Sequence, residues 1–212
     1  IEEVTPDKFI TWGWTDGSEK HLPTFIFNTL GRVEKNYSSQ GGLLLIETIC
    51  WNRYTTWDSS SEFVEYLNDQ KKFVNNLNSL IRQEITIRLH PGSRHDTWNE
   101  DERWFDFDPK IKIDYANSDI KDLISKSRLV VHSYDSTGIL VTLSQNIPTL
   151  AFWQDGFDHL RESAKPYYQL LVDVGIIHLS AKSASDKVNK IRPQYLINAA
   201  AYTKVEDAER NN

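Results

Sequence analysis

A doubly wound α/β fold, a parallel sheet with helices on its faces, is predicted by three features of the sequence. Short, nearly continuous apolar runs such as Leu43 to Ile46 and Leu129 to Val131 suit strands covered on both sides. Segments with apolar residues three and four apart lie between such runs, and the two kinds alternate along the chain. Caps and turn residues mark the changes from one to the other.

Taken in order, residues 1–42 are aromatic and irregular, with Trp12-Gly13-Trp14, Asp16-Gly17 and Gly41-Gly42 as turn signals. Leu43 to Ile49 is the first buried strand. Asp58 and Ser59 to Ser61 offer N-caps for a helical stretch that carries Phe63, Leu67, Phe73, Leu77 and Ile81. Glu84 to Leu89 alternates and stops at His90-Pro91, as a strand halted by proline does. Residues 92–110 read as a polar, tryptophan-containing loop, followed by a short strand at Ile111 to Ile113. A short helix opens at the acidic cap Asp119, and Arg128 to His132 is the next buried strand. Thr137 to Ser144 is a helix, Ile147 to Phe152 a strand, and Ala164 to Val174 a helix ended by Gly175. Ile176 to Leu179 and Ser180 to Ile191 repeat the alternation.

Composition narrows the function classes. With 39% hydrophobic and 25% charged residues in 212, the chain is globular rather than disordered. Its apolar runs are far shorter than the ~20 residues that span a bilayer, and no charged leader precedes an apolar stretch. A net charge of −6 argues against nucleic acid as a partner. The single cysteine, Cys50, rules out an intramolecular disulfide and fits a reducing, cytoplasmic setting. The chain contains no methionine, so either its beginning was processed away or it is a fragment of a longer protein, and the motifs below favour the fragment. No glycine-rich dinucleotide turn, phosphate loop or nucleophile elbow occurs, and no cofactor is expected.

In doubly wound sheets ligands bind beyond the carboxyl ends of the strands. That rule selects three places. Ser133-Tyr134-Asp135-Ser136-Thr137-Gly138 joins a strand to a helix, where free N–H groups and the helix dipole suit a phosphate and glycine allows close approach. An ordinary Ser/Thr cap would look the same and needs no ligand. Arg88 and His90 share a face at the end of their strand, one suited to pair with a diphosphate, the other to donate to it; a surface arginine and a satisfied histidine are the bland alternative. Trp153, His159 and Arg161 offer a stacking ring and two groups for phosphates, or else a half-buried tryptophan beside a solvated loop. Asp106-Phe107-Asp108 is too short a pattern to predict a metal, and His90, His95 and Asp96 lack the further ligand a zinc site needs.

These residues carry a resemblance. Arg88 to Pro91, Ser127 to Gly138, Asn146 to Trp153 and Asp158 to Tyr168, with Trp12-Gly13-Trp14, resemble a transferase family of bacterial surface-carbohydrate biosynthesis over roughly residues 5–191. That resemblance implies the carboxyl-terminal half of a GT-B-type glycosyltransferase, a Rossmann-like domain that holds the nucleotide-sugar donor. The implied division is 1–42, a remnant of the preceding region; 43–191, the donor domain; and 192–212, a tail. Arg88, His90 and Ser136 to Gly138 would face the diphosphate. A glycan or lipid-linked acceptor and the catalytic base would belong to the missing domain, so catalytic residues stay unknown and the chain alone would be inactive. Peripheral membrane association would belong to the full-length protein. Val141 departs from the pattern, because an acidic ribose partner is expected there. The alternative is a remnant without ligand.

The tail, Arg192 to Glu209, resembles dTDP-4-dehydrorhamnose reductases, but the chain has neither their glycine-rich turn nor a Tyr-x-x-x-Lys pair. A working NAD(P)-dependent reductase is therefore not expected; a gene fusion or a rearranged, degraded reading frame with a junction near Val188 to Arg192 is, and chance similarity over a short, alanine-rich stretch is the bland alternative.

Overall fold

The computed structural model describes residues 4–24, 38–49, 63–95, 98–154 and 156–191. Strands β1 (Phe9–Thr11) and β2 (His21–Pro23) form a small parallel ribbon. The main sheet takes β3 (Leu43–Ile46), β4 (Ile85–Arg88), β5 (Lys112–Asp114), β6 (Leu129–His132), β7 (Thr149–Phe152) and β8 (Ile177–His178). All neighbours are parallel, in the order β5-β4-β3-β6-β7-β8. Counted from β3 the order is 3-2-1-4-5-6, the arrangement of doubly wound nucleotide-binding sheets, and it reverses between β3 and β6. The predicted Rossmann-like α/β class is the one observed.

Both faces are buried because the central strands carry apolar residues at successive positions, such as Leu43 to Ile46 and Leu129 to Val131. Leu43, Leu45, Ile87 and Val131 point to one face, under α1 (Phe63–Asn76), α2 (Ser79–Gln83), α3 (Glu100–Phe107) and α7 (Ala181–Lys190). The intervening residues Leu44, Val130, Ala151 and Ile177 point to the other. That face is covered by α4 (Ile120–Lys126), α5 (Thr137–Ser144) and α6 (Lys165–Asp173). Phe73 of α1 stacks on Phe152 of β7 at 4.9 Å, which ties helix to sheet.

Three expectations change. Residues 1–42, read as irregular, contain the paired strands β1 and β2. The helical stretch from Phe63 to Ile81 is broken at Asn78, whose side chain caps α2 by accepting from the Ile81 N–H at 3.0 Å. Residues 92–110 are not a loop: Pro91–His95 makes a 3-10 turn and Glu100–Phe107 is α3. Glu100, Asp101 and Glu102 place negative charge in its first turn, where the helix dipole favours it. Trp104 is fully buried and anchors the helix. The polar, tryptophan-containing composition that suggested a loop thus belongs to an acidic helix start and its buried anchor. Cys50, the caps at 58–61 and the tail from Arg192 lie outside the described residues.

Leu45 is 0% exposed at the centre of the sheet, whereas Leu170 on α6 is 61% exposed. Leu45→Ala should cost about 2–5 kcal/mol, since the sheet cannot close around the cavity. Leu170→Ala should stay within about 0.5 kcal/mol. Urea unfolding midpoints of the two variants check the contrast.

Candidate functional site

All carboxyl ends of the sheet lie on one edge, and the chain leaves β3 and β6 towards opposite faces. At this reversal the backbone is held by a hydrogen-bonded run. The Thr48 N–H donates to the Tyr66 hydroxyl at 2.8 Å, Tyr66 lies 2.8 Å from the Ser133 Oγ, and Ser133 donates to the Ile46 carbonyl at 3.0 Å. Because Ser133 gives its proton to Ile46, Tyr66 must give its own to Ser133. The run therefore has one direction and no unmet group.

Beside it opens a cleft of about 250 Å³. Ser133, Tyr134 and Asp135 form its floor after β6, and Trp153 and His159 its far wall after β7. Tyr66, Glu65 and Asp69 of α1 form the near wall. Asp135 accepts from Tyr168 at 2.9 Å and lies 2.9 Å from the His159 Nε2. Burial and then the Asp135 charge push the Tyr168 phenol well above its usual range, so it stays a donor. The Trp153 indole donates to the Gly156 carbonyl at 2.9 Å and packs edge-on against Tyr168, which fixes its plane.

At the cleft's edge Ser136 caps α5, its Oγ accepting from the Gly138 N–H at 3.2 Å. Thr137 is exposed. Gly138 has a reason of its own: a Cβ there would stand 2.9 Å from the His132 ring. The glycine therefore lets α5 settle on buried His132, whatever else approaches it. Burial lowers the His132 pKa to about 4, and its Nδ1 has no hydrogen-bond partner.

Arg88 and His90 are placed differently. Arg88 is buried, paired with Asp114 of β5, and donates to the Ser118 carbonyl at 2.9 Å. Burial alone would raise the Asp114 carboxyl, but the Ser118 hydroxyl, Arg88 and the Ala116 N–H outweigh it and hold Asp114 low. The guanidinium thus staples the edge strand. His90 lines a second cleft, of about 200 Å³, with Ser93, Glu100 and Tyr115. Its Nδ1 accepts from the Gly92 N–H at 3.0 Å, and burial, then Arg88, lower its pKa. It is a neutral ring with its proton on Nε2. Arg161 is exposed and lies outside the residues that line either cleft.

Sequence reasoning brought Ser133, Tyr134, Asp135, Trp153 and His159 to one cleft and missed the α1 wall. Tyr66 and Asp69 are three apart on one helical face, a signal that only gains meaning once α1 is docked. It also passed over Glu47, which follows β3 at the reversal itself. Glu47 is buried and accepts from the Trp104 indole at 3.0 Å. Burial, then neighbouring Glu100, push its pKa well up, so it is held as a neutral acid. Asp108 of the Asp-x-Asp triplet is spent on Arg82, 2.9 Å away. Among the described residues no group of three or more His, Cys, Asp or Glu is arranged to hold a metal ion, and no helix is long and apolar enough to cross a membrane.

A family model described as LIC12162 family transferase matches residues 1–195. No curated protein matches the chain.

Glu47 binds its proton more tightly folded than unfolded, so its effect is absent below the unfolded pKa and costs stability as pH rises towards the folded one. Glu47→Gln keeps the acceptor for Trp104 and removes that cost. It should raise the unfolding midpoint more at pH 8 than at pH 5, read by thermal melts. Asp114→Ala strands the buried Arg88 charge and should cost about 3–5 kcal/mol in urea unfolding.

Proposed function

The chain belongs to this transferase family, and on that premise we propose that the carboxyl-terminal edge of its sheet binds a nucleotide-sugar donor. One observation carries the reading: the strand order reverses between β3 and β6, and a cleft opens beside that reversal. In open α/β sheets nucleotides sit at such a point. The diphosphate would lie on the first turn of α5, where N–H groups and the helix dipole meet it and the exposed Thr137 hydroxyl adds a donor. His90, with a neutral Nε2–H, and Arg161, on the loop after β7, stand for its oxygens. Trp153 provides a fixed aromatic wall. Arg88 would join only by exchanging Asp114 for phosphate.

In this reading the chain is the donor half of a GT-B-type enzyme for surface polysaccharide. A second domain brings the glycan or lipid-linked acceptor and the catalytic base, so this half binds without turning over. A remnant that keeps the fold and binds nothing is the second reading. It is favoured by the commitment of Arg88 to Asp114 and by Val141, which offers a ribose no hydrogen bond.

Calorimetry with UDP, GDP, CMP and dTDP separates the two, comparing the native chain with Thr137→Asp. A carboxylate in the first turn suits the helix dipole by about 0.3–1 kcal/mol, so the variant should melt no earlier. The same carboxylate should repel phosphate and weaken binding of the preferred nucleotide roughly tenfold or more. Flat titrations of the folded native chain with all four nucleotides would leave the remnant reading. Undiminished binding by the variant would remove the phosphates from α5.

A further inference from the structure

The walls of the larger cleft say which part of a donor it takes. Among the described residues its charged or basic lining is Glu65, Asp69, Asp135 and His159, with three carboxylates to one imidazole. Asp135 already holds His159 and Tyr168, and Asp69 is paired with exposed Lys72 of its own helix at 3.0 Å. Glu65 is exposed at the rim. A phosphate placed among these carboxylates would meet repulsion, with Lys72 already committed to Asp69 and His159 to Asp135. A sugar would not. Its hydroxyls donate to carboxylate oxygens and to the hydroxyls of Tyr66 and Ser133, while its C–H face packs on the fixed indole of Trp153. Size agrees: at about 250 Å³ the cleft is below the ~300–1,000 Å³ usual for whole ligands, and suits one ring.

We infer that this cleft is the sugar subsite of the donor site, and that it takes neutral or amino hexoses and rejects sugars bearing a carboxylate. The inference rests on the donor-binding reading above and adds to it the class of sugar. The geometry divides the ligand: ring hydroxyls between α1 and Trp153, phosphate outside the carboxylates on the first turn of α5. An ammonium group on the sugar would find Glu65 and Asp69 within the same walls. A uronic acid would add a further negative charge to a cleft that already holds three carboxylates.

Sugar 1-phosphates test this without knowledge of the base. Affinities are measured by NMR titration for glucose, galactose, mannose, N-acetylglucosamine and glucosamine 1-phosphates, and for the 1-phosphates of glucuronic and galacturonic acid. At least one neutral or amino sugar phosphate should bind, with the matching uronic acid roughly tenfold or more weaker. The double variant Glu65→Gln, Asp69→Asn keeps the shape and should narrow that ratio, while the affinity for inorganic pyrophosphate changes less. Equal or tighter binding of the uronic acids by the native chain would overturn the proposal, as would an unchanged ratio in the double variant. Nucleotide binding without any sugar phosphate binding would overturn the subsite and leave the donor reading intact. Loss of both would overturn both.

Discussion

The organising constraint is the reversal of strand order between β3 and β6. Their chains leave the sheet towards opposite faces, α1 on one side and α5 on the other, so nothing regular covers the backbone between them. A buried carbonyl or N–H left there unpaired would cost about 1–3 kcal/mol each. The Tyr66 hydroxyl meets that need for the Thr48 N–H, and the Ile46 carbonyl accepts from both the Ser133 N–H and its hydroxyl. The contact of Tyr66 with Ser133 also docks the start of α1 against the β6 turn. The larger cleft follows from this: its near wall is the docked helix, its floor the turn, and its depth the distance α1 keeps from the loop after β7.

How much of this was legible in the sequence depends on the kind of signal. The six strands of the main sheet and most of the helices between them were, because apolar period and turn residues are local. The cap of α5 at Ser136 was also legible, as a hydroxyl directly before an apolar helix. α3 was not, because a polar stretch with tryptophan among charges imitates a loop. Its acidic first turn was the overlooked clue. The α1 wall of the cleft was hidden for another reason. Which helical face meets which loop is fixed by docking, and no local pattern records it.

Charged residues show the same limit. Arg88 stands where a ligand-binding arginine would, at the end of a strand on the functional edge. Its partner is decided by register: Arg88 lies opposite Asp114 in the β4–β5 ladder, twenty-six positions away in sequence. A buried guanidinium takes the first carboxylate that geometry offers, because leaving it alone costs more than any ligand restores while absent. Gly138 teaches a related lesson. A glycine in a phosphate-type turn invites a ligand explanation, yet here the missing Cβ already makes room for His132.

The acidic cleft and an anionic donor can coexist only if the charges are kept apart. Peptide N–H groups at the start of α5 are neutral dipoles, so they can favour phosphate without an arginine, while carboxylates a few ångströms away accept hydroxyls. Such a division makes the negative walls a filter as well as a binding surface. On the proposed donor reading they would orient a neutral ring inwards, leave the diphosphate out on the helix, and raise the cost of entering in the reverse direction. Orientation is what a transferase must impose, because the bond to be broken lies at the junction of ring and phosphate. On the same proposal that junction would fall on Ser133 to Ser136, beside the reversal from which the cleft arises.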